Sequence, residues 1–422
     1  MQAFRIPELK RRIWFNMAMF AIFVLGAHIP VPGIDHARLD MLFGSGGFLG
    51  LVDVFSGGAL RRMTIFAMGI TPYINASIIM QMMTLAIPQL EAMQKEGESG
   101  RKRIAQITRQ LTIVLSFAQA IGFALSFKAA ATSLFGIVQM CVIMTAGTAF
   151  LLWIGEQITE NGIGNGVSLV IFAGIMTSLP YQTGMIYTSV EKGLINPFNV
   201  AILLALFIGT IYCIVLITQG TRRIPIQHVK RVVGMKVMPA GSSFLPIKVN
   251  TAGVIPIIFA ISMLMLPAQL LNSIPRRDGI WGVLKLWANN ISPGQSWYGS
   301  LLYIVLIVIF TYFYTAVVMN VQDMADNLKK YGNYIPGIRP GKPTFDYLDR
   351  VVSRITLAGA IFLAAVAMVQ YLAPLVTRVG LNQFALIGGT SLLIVVGVAI
   401  ETMQAIEAQL LMRNYEGFIK ES

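Results

Sequence analysis

Apolar residues are gathered into ten long runs separated by short polar stretches. The runs are Ile13–Ile29, Met63–Ile87, Leu111–Phe127, Leu134–Ile154, Val167–Leu179, Val200–Thr218, Val254–Leu271, Leu301–Val321, Ile355–Val376 and Phe384–Ile400. A bilayer core of about 30 Å takes about 20 residues of helix, so nine of the runs are long enough to cross. The fifth is short and is expected to begin inside the Gly-rich turn before it. Within lipid only helices and closed barrels satisfy their own backbone. Barrel strands alternate in hydrophobicity and these runs do not, so the pattern predicts an all-α polytopic membrane protein of ten transmembrane helices.

Composition agrees. The chain is 55% hydrophobic and 12% charged, with a mean hydropathy of +0.69, whereas a soluble domain carries about 25% charged residues. The excess of 32 Lys and Arg over 19 Asp and Glu fits either a nucleic-acid partner or a membrane protein with one charged side. Location decides. Only nine of those bases (Arg38, Arg61, Arg62, Lys128, Lys192, Arg276, Arg277, Lys285 and Arg378) fall in one set of loops. The rest lie in the N-terminal segment, the C-terminal tail and the loops after runs two, six and eight, which places both termini in the cytoplasm. The basic N-terminal segment runs on without a small-residue cleavage pattern. Cys141 and Cys213 both sit in apolar runs, and His28, His36 and His228 share no metal-ligand spacing.

Two short motifs recur at matching places. Run two contains GITPYI (Gly69–Ile74) and run seven GVIPII (Gly253–Ile258). Run five opens with GVSLVI (Gly166–Ile171), and GTSLLI (Gly389–Ile394) lies in run ten. Second matches second and fifth matches fifth, so spans 1–5 and 6–10 are expected to be inverted copies. Proline inside a helix removes a backbone bond, and interrupted helices in equivalent places of two inverted halves point to a pathway at the membrane midplane. Ile70 and Ile74 lie one turn apart on one face, as do Val167 and Ile171. Beside the repeats they read as an apolar constriction, although each alone would suit a lipid-facing position.

Catalytic chemistry is missing from the pattern. GIRPGKPT (Gly337–Thr344) looks like a phosphate-binding loop, but it has three residues between its glycines and Pro343 where Ser or Thr should bind magnesium. There is no H-E-x-x-H and no Ser/His/Asp set, and Glu156 and Glu160 are expected in a turn with no nearby base. The spans hold few ionisable groups, Glu401 being the main one, which disfavours an ion-coupled transporter. Neutral Gln81, Gln119 and Asn250 serve equally well as interhelical hydrogen-bonding groups or as part of a gate. The segment Thr221–Lys248 alternates apolar Ile224, Ile226, Val229 and Val232 with Arg222, Arg223, Lys230 and Arg231, which predicts a projecting hairpin. Lys329, Lys330, Arg339 and Lys342 make a second basic projection. Such loops fit an acidic partner surface, nucleic acid or anionic lipid. A conduit powered by a partner, a secondary transporter of a small solute and an intramembrane enzyme are the classes to separate. The enzyme lacks its residues, and the transporter would place coordinating groups where this sequence has isoleucine.

Long stretches settle the choice of family. FSGGALRRMTIFAMGITPYINASIIMQMM (Phe55–Met83) and LLWIGEQITENGIGNGVSLVIFAGI (Leu151–Ile175) resemble signatures of the SecY/Sec61-alpha family, the channel subunits of Sec protein translocases. LPIKVNTAGVIPIIFA (Leu245–Ala260), ADNLKKYGNYIPGIRPGKPT (Ala325–Thr344) and GGTSLLIVV (Gly388–Val396) follow in order, so the resemblance covers nearly the whole chain.

The resemblance implies two inverted five-helix halves around an hourglass pore: residues 1–181, an external hinge at 182–199, and 200–422 with cytoplasmic loops at 219–249 and 320–354. It implies a pore ring of Ile70, Ile74, Val167, Ile171, Ile258 and Ile394, with valine at 167 where close relatives have isoleucine. A short plug helix is implied at about 51–60, including Asp53, Phe55, Ser56, Gly57 and Gly58, followed by Arg61 where a small polar residue is common. Gln81, Gln119 and Asn250 match a polar cluster at a lateral gate. Arg222, Arg223, Lys230, Arg231, Lys236, Lys329, Lys330, Arg339 and Lys342 match loops that dock a SecA motor ATPase or a ribosome. SecE-like and SecG-like subunits, signal sequences, preproteins and membrane lipid complete the implied partners, in a bacterial plasma membrane, with no cofactor and no catalysis.

Overall fold

The structure, a computed structural model, describes residues 6–32, 56–126, 134–193, 195–228, 232–233, 236–237, 242–272, 279–291, 293, 296–377 and 389–420. Helices dominate. They are α1 (Pro7–Gly26), α2 (Thr71–Ala86), α3 (Pro88–Lys95), α4 (Glu98–Ser126), α5 (Leu134–Asn161), α6 (Gly166–Glu191) and α7 (Pro197–Gln219), then α8 (Ile255–Asn272), α9 (Ile280–Ile291), α10 (Trp297–Val318), α11 (Val321–Lys330), α12 (Lys342–Thr377) and α13 (Gly389–Lys420). Between α7 and α8 lie β1 (Thr221–His228), β2 (Val232–Val233), β3 (Lys236–Val237) and β4 (Ser242–Lys248), and β5 (Asn333–Tyr334) follows α11. Among the described residues, 7 helices are long and apolar enough to cross a membrane: α4, α5, α6, α7, α10, α12 and α13.

The helix starts are written locally. Pro7, Pro88 and Pro197 each open a helix where a missing N–H costs nothing. The Asn165 side chain accepts from the backbone N–H groups of Val167 and Ser168, and the Ser296 hydroxyl from that of Gly299 at 3.1 Å; both are N-caps that satisfy orphan donors.

Three segments depart from the sequence reading. The second run was expected to be helical from Met63, but 56–70 are turns and α2 starts only at Thr71. Gly69 takes a left-handed φ of 56° just before Pro72, and a helix cannot run through that pair. Irregular backbone is tolerable at membrane depth only where protein covers it, and Met63, Thr64, Phe66, Ala67 and Met68 are all buried. The fifth run extends as α6 through Pro180 to Glu191, so only 192–196 separate it from α7, against the hinge expected over 182–199. Helix α6 continues across Pro180 although proline cannot make its i→i−4 backbone bond there. Glu156 and Glu160 lie on α5 and not in a turn. The Arg109 guanidinium on α4 donates to Glu156 at 2.6 Å, a pairing 47 residues apart that sequence proximity could not suggest.

Lipid is as apolar as leucine, so membrane helices hold together by close approach at small residues. A Cβ on Gly147 would overlap the Ile65 carbonyl oxygen, one on Gly166 that of Gly155, and one on Gly389 that of Val366. The neighbouring pairs are α4 with α5, α5 with α6, α10 with α12 and α12 with α13, while α8 touches α2 and α4, and α13 touches α6. We expect Gly389→Ala to lower stability in detergent by about 1–3 kcal/mol, the usual cost of overpacking. Gly209→Ala on α7, where a Cβ meets nothing within 4 Å, should leave thermal unfolding unchanged or raise its midpoint.

Candidate functional site: an apolar constriction with a turn-rich cap and a basic platform

The four repeat motifs become matching structures. Gly69 and Gly253, the first glycines of the two G-x-x-P-x-I motifs, both adopt positive φ, 56° and 65°. Each precedes a helix start, at Thr71 and Ile255. Gly166 and Gly389, the first glycines of the G-x-S-L-x-I motifs, are each the first residue of a helix, and each abuts a carbonyl of the helix before it.

All six sequence-predicted ring residues fall in one hydrophobic cluster. Ile70, Ile171 and Ile394 are buried in it, and Ile74, Val167 and Ile258 are partly buried against it. They come from the cap or the first two turns of α2, α6, α8 and α13, so four helix beginnings converge there. The Ile74 N–H donates to the Ile70 carbonyl at 3.1 Å, which holds that pair one turn apart on α2. Val254, just before α8, and Val395 join the same cluster.

The turn segment before α2 covers one flank. Ser56, Gly57 and Gly58 are described, whereas Asp53 and Phe55 lie outside the described residues. The Ser56 hydroxyl accepts from the Leu60 N–H at 3.1 Å. Gly57 and Gly58 have φ of 74° and 79°, and a Cβ on Gly57 would stand 2.8 Å from the Gly174 carbonyl of α6. Turns therefore stand over the described part of the segment expected to be a plug helix. The Arg61 guanidinium lies over the Tyr181 ring, 5.2 Å from its centroid, a cation–π contact. Further on, the Val31 N–H donates to the Met63 carbonyl at 2.8 Å and the Ile65 N–H to the Ile29 carbonyl at 3.1 Å. The segment is thus tied both to α6 and to the end of α1.

The predicted gate residues sit on three separate elements. Gln119 is buried on α4 and Asn250 in the turn before α8, and Gln81 is half-buried on α2. The Gln81 Oε1 and Asn250 Oδ1 atoms are shielded without a hydrogen-bond partner. Asn250 lies against α12, where Gly359 leaves room for the backbone of 249–250. Sequence reasoning passed over Asn75 on α2 and Ser116 on α4. Both are buried, with Oδ1 and Oγ unpartnered. The i, i+3 spacing of Ser116 and Gln119 was the available signal.

The two basic loops are one body. β1 pairs antiparallel with β4 from Thr221↔Lys248 to Gln227↔Ser242, and β5 of the second loop pairs with β1 at Gln227↔Tyr334 and His228↔Asn333. Ile224, Ile226 and Ile247 form a small core with Ala325, Leu328, Ile335, Leu348 and Val352, so the sheet is bolted to α11 and α12. The expectation of two separate projections is corrected to a single platform. Arg222, Arg223, Lys329, Lys330, Arg339 and Lys342 are exposed on it. Lys230 and Arg231 lie outside the described residues, and for Lys236 only the backbone is described. Arg339 is bracketed by Gly337 and Gly341, with φ of 81° and 103°. Its carbonyl accepts from the Thr344 hydroxyl at 2.8 Å, and Ile338 beside it packs on the platform core.

Long apolar helices whose starts meet in one apolar cluster define a polytopic helical membrane protein. Comparison makes the class specific. The SecY family profile matches residues 64–403. The protein translocase subunit SecY of Streptomyces griseus is 42% identical over 439 residues, covering 99% of each chain, and that of Staphylococcus aureus (strain NCTC 8325 / PS 47) is 43% identical over 435 residues, covering 98% of this chain and 97% of its own. Among solved structures, a protein-conducting channel superposes with a TM-score of 0.64 at 18% identity, over 94% of this chain and 92% of the other. Sec61 from a canine ribosome–channel complex of the endoplasmic reticulum gives 0.63 at 17%, with the same coverage. The chain belongs to the SecY family: it is a protein-conducting channel subunit and not an enzyme, which removes the small-solute transporter.

Proposed function

We propose that the six-residue apolar cluster is the closed waist of this channel, in a bacterial plasma membrane with both termini cytoplasmic. Ten crossings form two inverted halves: α1, α2 and α4–α6 against α7, α8, α10, α12 and α13. The observation that carries the reading is the meeting of Ile70, Ile74, Val167, Ile171, Ile258 and Ile394 from four helix starts in one cluster. An apolar constriction resists water and ions by dewetting. It also has no fixed hydrogen-bond pattern, so an extended chain of any sequence can slide through it. The matched glycines of the repeat motifs support the inverted halves. The unpartnered oxygens of Asn75, Gln81, Ser116 and Asn250 support a gate at the faces of α2, α4 and α8, since poorly satisfied polar groups make a seam that costs less to part. A signal sequence parts that seam and reaches lipid. SecE-like and SecG-like subunits brace the halves, and the basic platform receives a SecA-type motor or a ribosome.

The test is a stalled translocation intermediate. In a chain with Cys141 and Cys213 replaced by Ser and a single cysteine at position 258, a preprotein cysteine halted in transit should form a disulfide with it. A cysteine at position 208 on the exposed face of α7 should not. Equal cross-linking at both positions would overturn the pore assignment.

The turn segment after residue 55 serves as the seal's cap. A solved SecY channel described as one whose plug domain stabilises the closed state and maintains a membrane seal superposes at a TM-score of 0.67 and 19% identity, over 94% of this chain and 92% of the other. Here the Arg61–Tyr181 contact latches the cap to α6. An exposed cation–π pair contributes about 0.5–1 kcal/mol. Tyr181→Leu should therefore raise the frequency of spontaneous openings in planar bilayers about two- to fivefold, and Tyr181→Phe, which keeps the ring, should not.

A further inference from the structure

Between α8 and α10 the chain forms a helix that the apolar runs did not announce. In α9, Ile280, Val283, Leu284 and Trp287 repeat at i, i+3, i+4 and i+7, one stripe of a helix, while Gly282, Lys285 and Asn289 lie on the opposite side. The stripe is turned away from the protein: Ile280 is 78% exposed, Val283 58% and Trp287 67%. The protein-facing position is Ala288, which is buried. Helix α9 packs on both α8 and α10, and its end is clamped to the start of α10. The Ser296 hydroxyl donates to the Asn290 carbonyl and accepts from the Gly299 N–H.

That clamp sets the depth of α9. Helix α10 is apolar and long enough to cross a membrane, and its exposed stripe Trp297, Leu301, Val305 and Ile309 advances four residues at a time along the surface that faces lipid. The clamp residue Ser296 immediately precedes Trp297, so α9 is tied to the start of this stripe. Three of the chain's five tryptophans, Trp281, Trp287 and Trp297, fall in this one corner. Tryptophan favours the boundary between headgroups and acyl chains, where one side of the ring is apolar and the indole N–H stays wet. We infer that α9 is an interfacial helix, lying along the bilayer surface with its Ile280–Val283–Leu284–Trp287 stripe in the upper acyl region, and that its partner is lipid and not another protein. An amphipathic helix of this kind is held by its buried apolar area. It fixes one end of the α8–α10 pair at a set depth, and α8 is the helix that also touches α2 and α4. The inference needs α10 to span the membrane, and it stands whether or not the waist is the conducting pore.

The experiment uses the full chain with Trp287 as its sole tryptophan (Trp14, Trp153, Trp281 and Trp297 replaced by Phe), reconstituted in phosphatidylcholine vesicles. The lipids carry bromine either high on the acyl chain or near its end. Shallow bromines should quench Trp287 at least twofold more than deep ones, with blue-shifted emission. Adding Ile280→Asp and Val283→Asp should at least halve that quenching. Emission quenched by aqueous acrylamide and by neither lipid would overturn the inference by placing the helix in water. Protection from both kinds of quencher would overturn it by placing a protein over the stripe. Stronger deep quenching would overturn the interfacial depth.

Discussion

Replacing Ile74, Ile171, Ile258 and Ile394 together with Ser should make the resting channel leak ions, raising conductance in planar bilayers about tenfold or more. The four residues come from α2, α6, α8 and α13 and share one cluster with Ile70 and Val167. Exchanging all four for short hydroxyl side chains removes most of this apolar lining, and each 1.36 kcal/mol taken from a barrier is tenfold in rate. Serine also offers water a partner at the waist, which removes the dewetting barrier, and its hydroxyl can bond within its own helix, which keeps the helix starts intact. The same four positions changed to Val should remain tight, because valine keeps the lining apolar and β-branched. A quadruple Ser variant that folds and conducts no more than the parent would refute the waist, and leakage in the Val variant would show that shape and not polarity makes the seal.

Both the waist and the platform rest on features that were unequally legible in the sequence. Helices were legible because a membrane forces continuous apolar runs, and the apolar cluster at the helix starts was legible in part because Ile74, Ile171, Ile258 and Ile394 end short repeats whose glycines have specific backbone duties. The late start of α2 was harder. Residues 63–70 are as apolar as a helix would be, and only Gly69 and Pro72 mark the break. The Arg109–Glu156 pair and the β1–β5 pairing were not legible at all. The first joins residues 47 positions apart, and the second depends on a two-residue strand that carries no alternation of its own. Helix α9 was missed because its apolar residues are spaced as a stripe and interrupted by Lys285, Asn289 and Asn290, so it never makes a run. Runs report what is buried in lipid on all sides, and stripes report what lies at its edge.

Reversing the charge at Arg339 should stop motor-driven transport of a preprotein into vesicles while the channel stays folded. The site is built for presentation. Gly337 and Gly341 hold left-handed backbone on either side, the Thr344 hydroxyl fixes the Arg339 carbonyl at 2.8 Å, and Ile338 anchors the loop to a core shared with β1, β4, α11 and α12. The side chain itself is exposed, and the loop is stiff, so little ordering entropy is spent when a partner engages it. A guanidinium there can grip a carboxylate with two parallel hydrogen bonds. Arg339→Glu replaces that grip with a like-charge contact costing several kcal/mol, and each 1.4 kcal/mol is tenfold in affinity. Transport driven by a SecA-type ATPase should fall by more than tenfold. Arg339→Lys keeps the charge without the fork and should fall between the two. Thermal unfolding should not move, since an exposed substitution away from the core changes stability by about 0.5 kcal/mol at most. The single platform adds a sharper expectation. Ile226→Asp, which breaks the shared core without touching an exposed base, should impair transport as Arg339→Glu does, because the loop that carries Arg339 is held in place by the hairpin of the other. Normal transport by Arg339→Glu would remove the docking role, and normal transport by Ile226→Asp would mean that the two loops work independently.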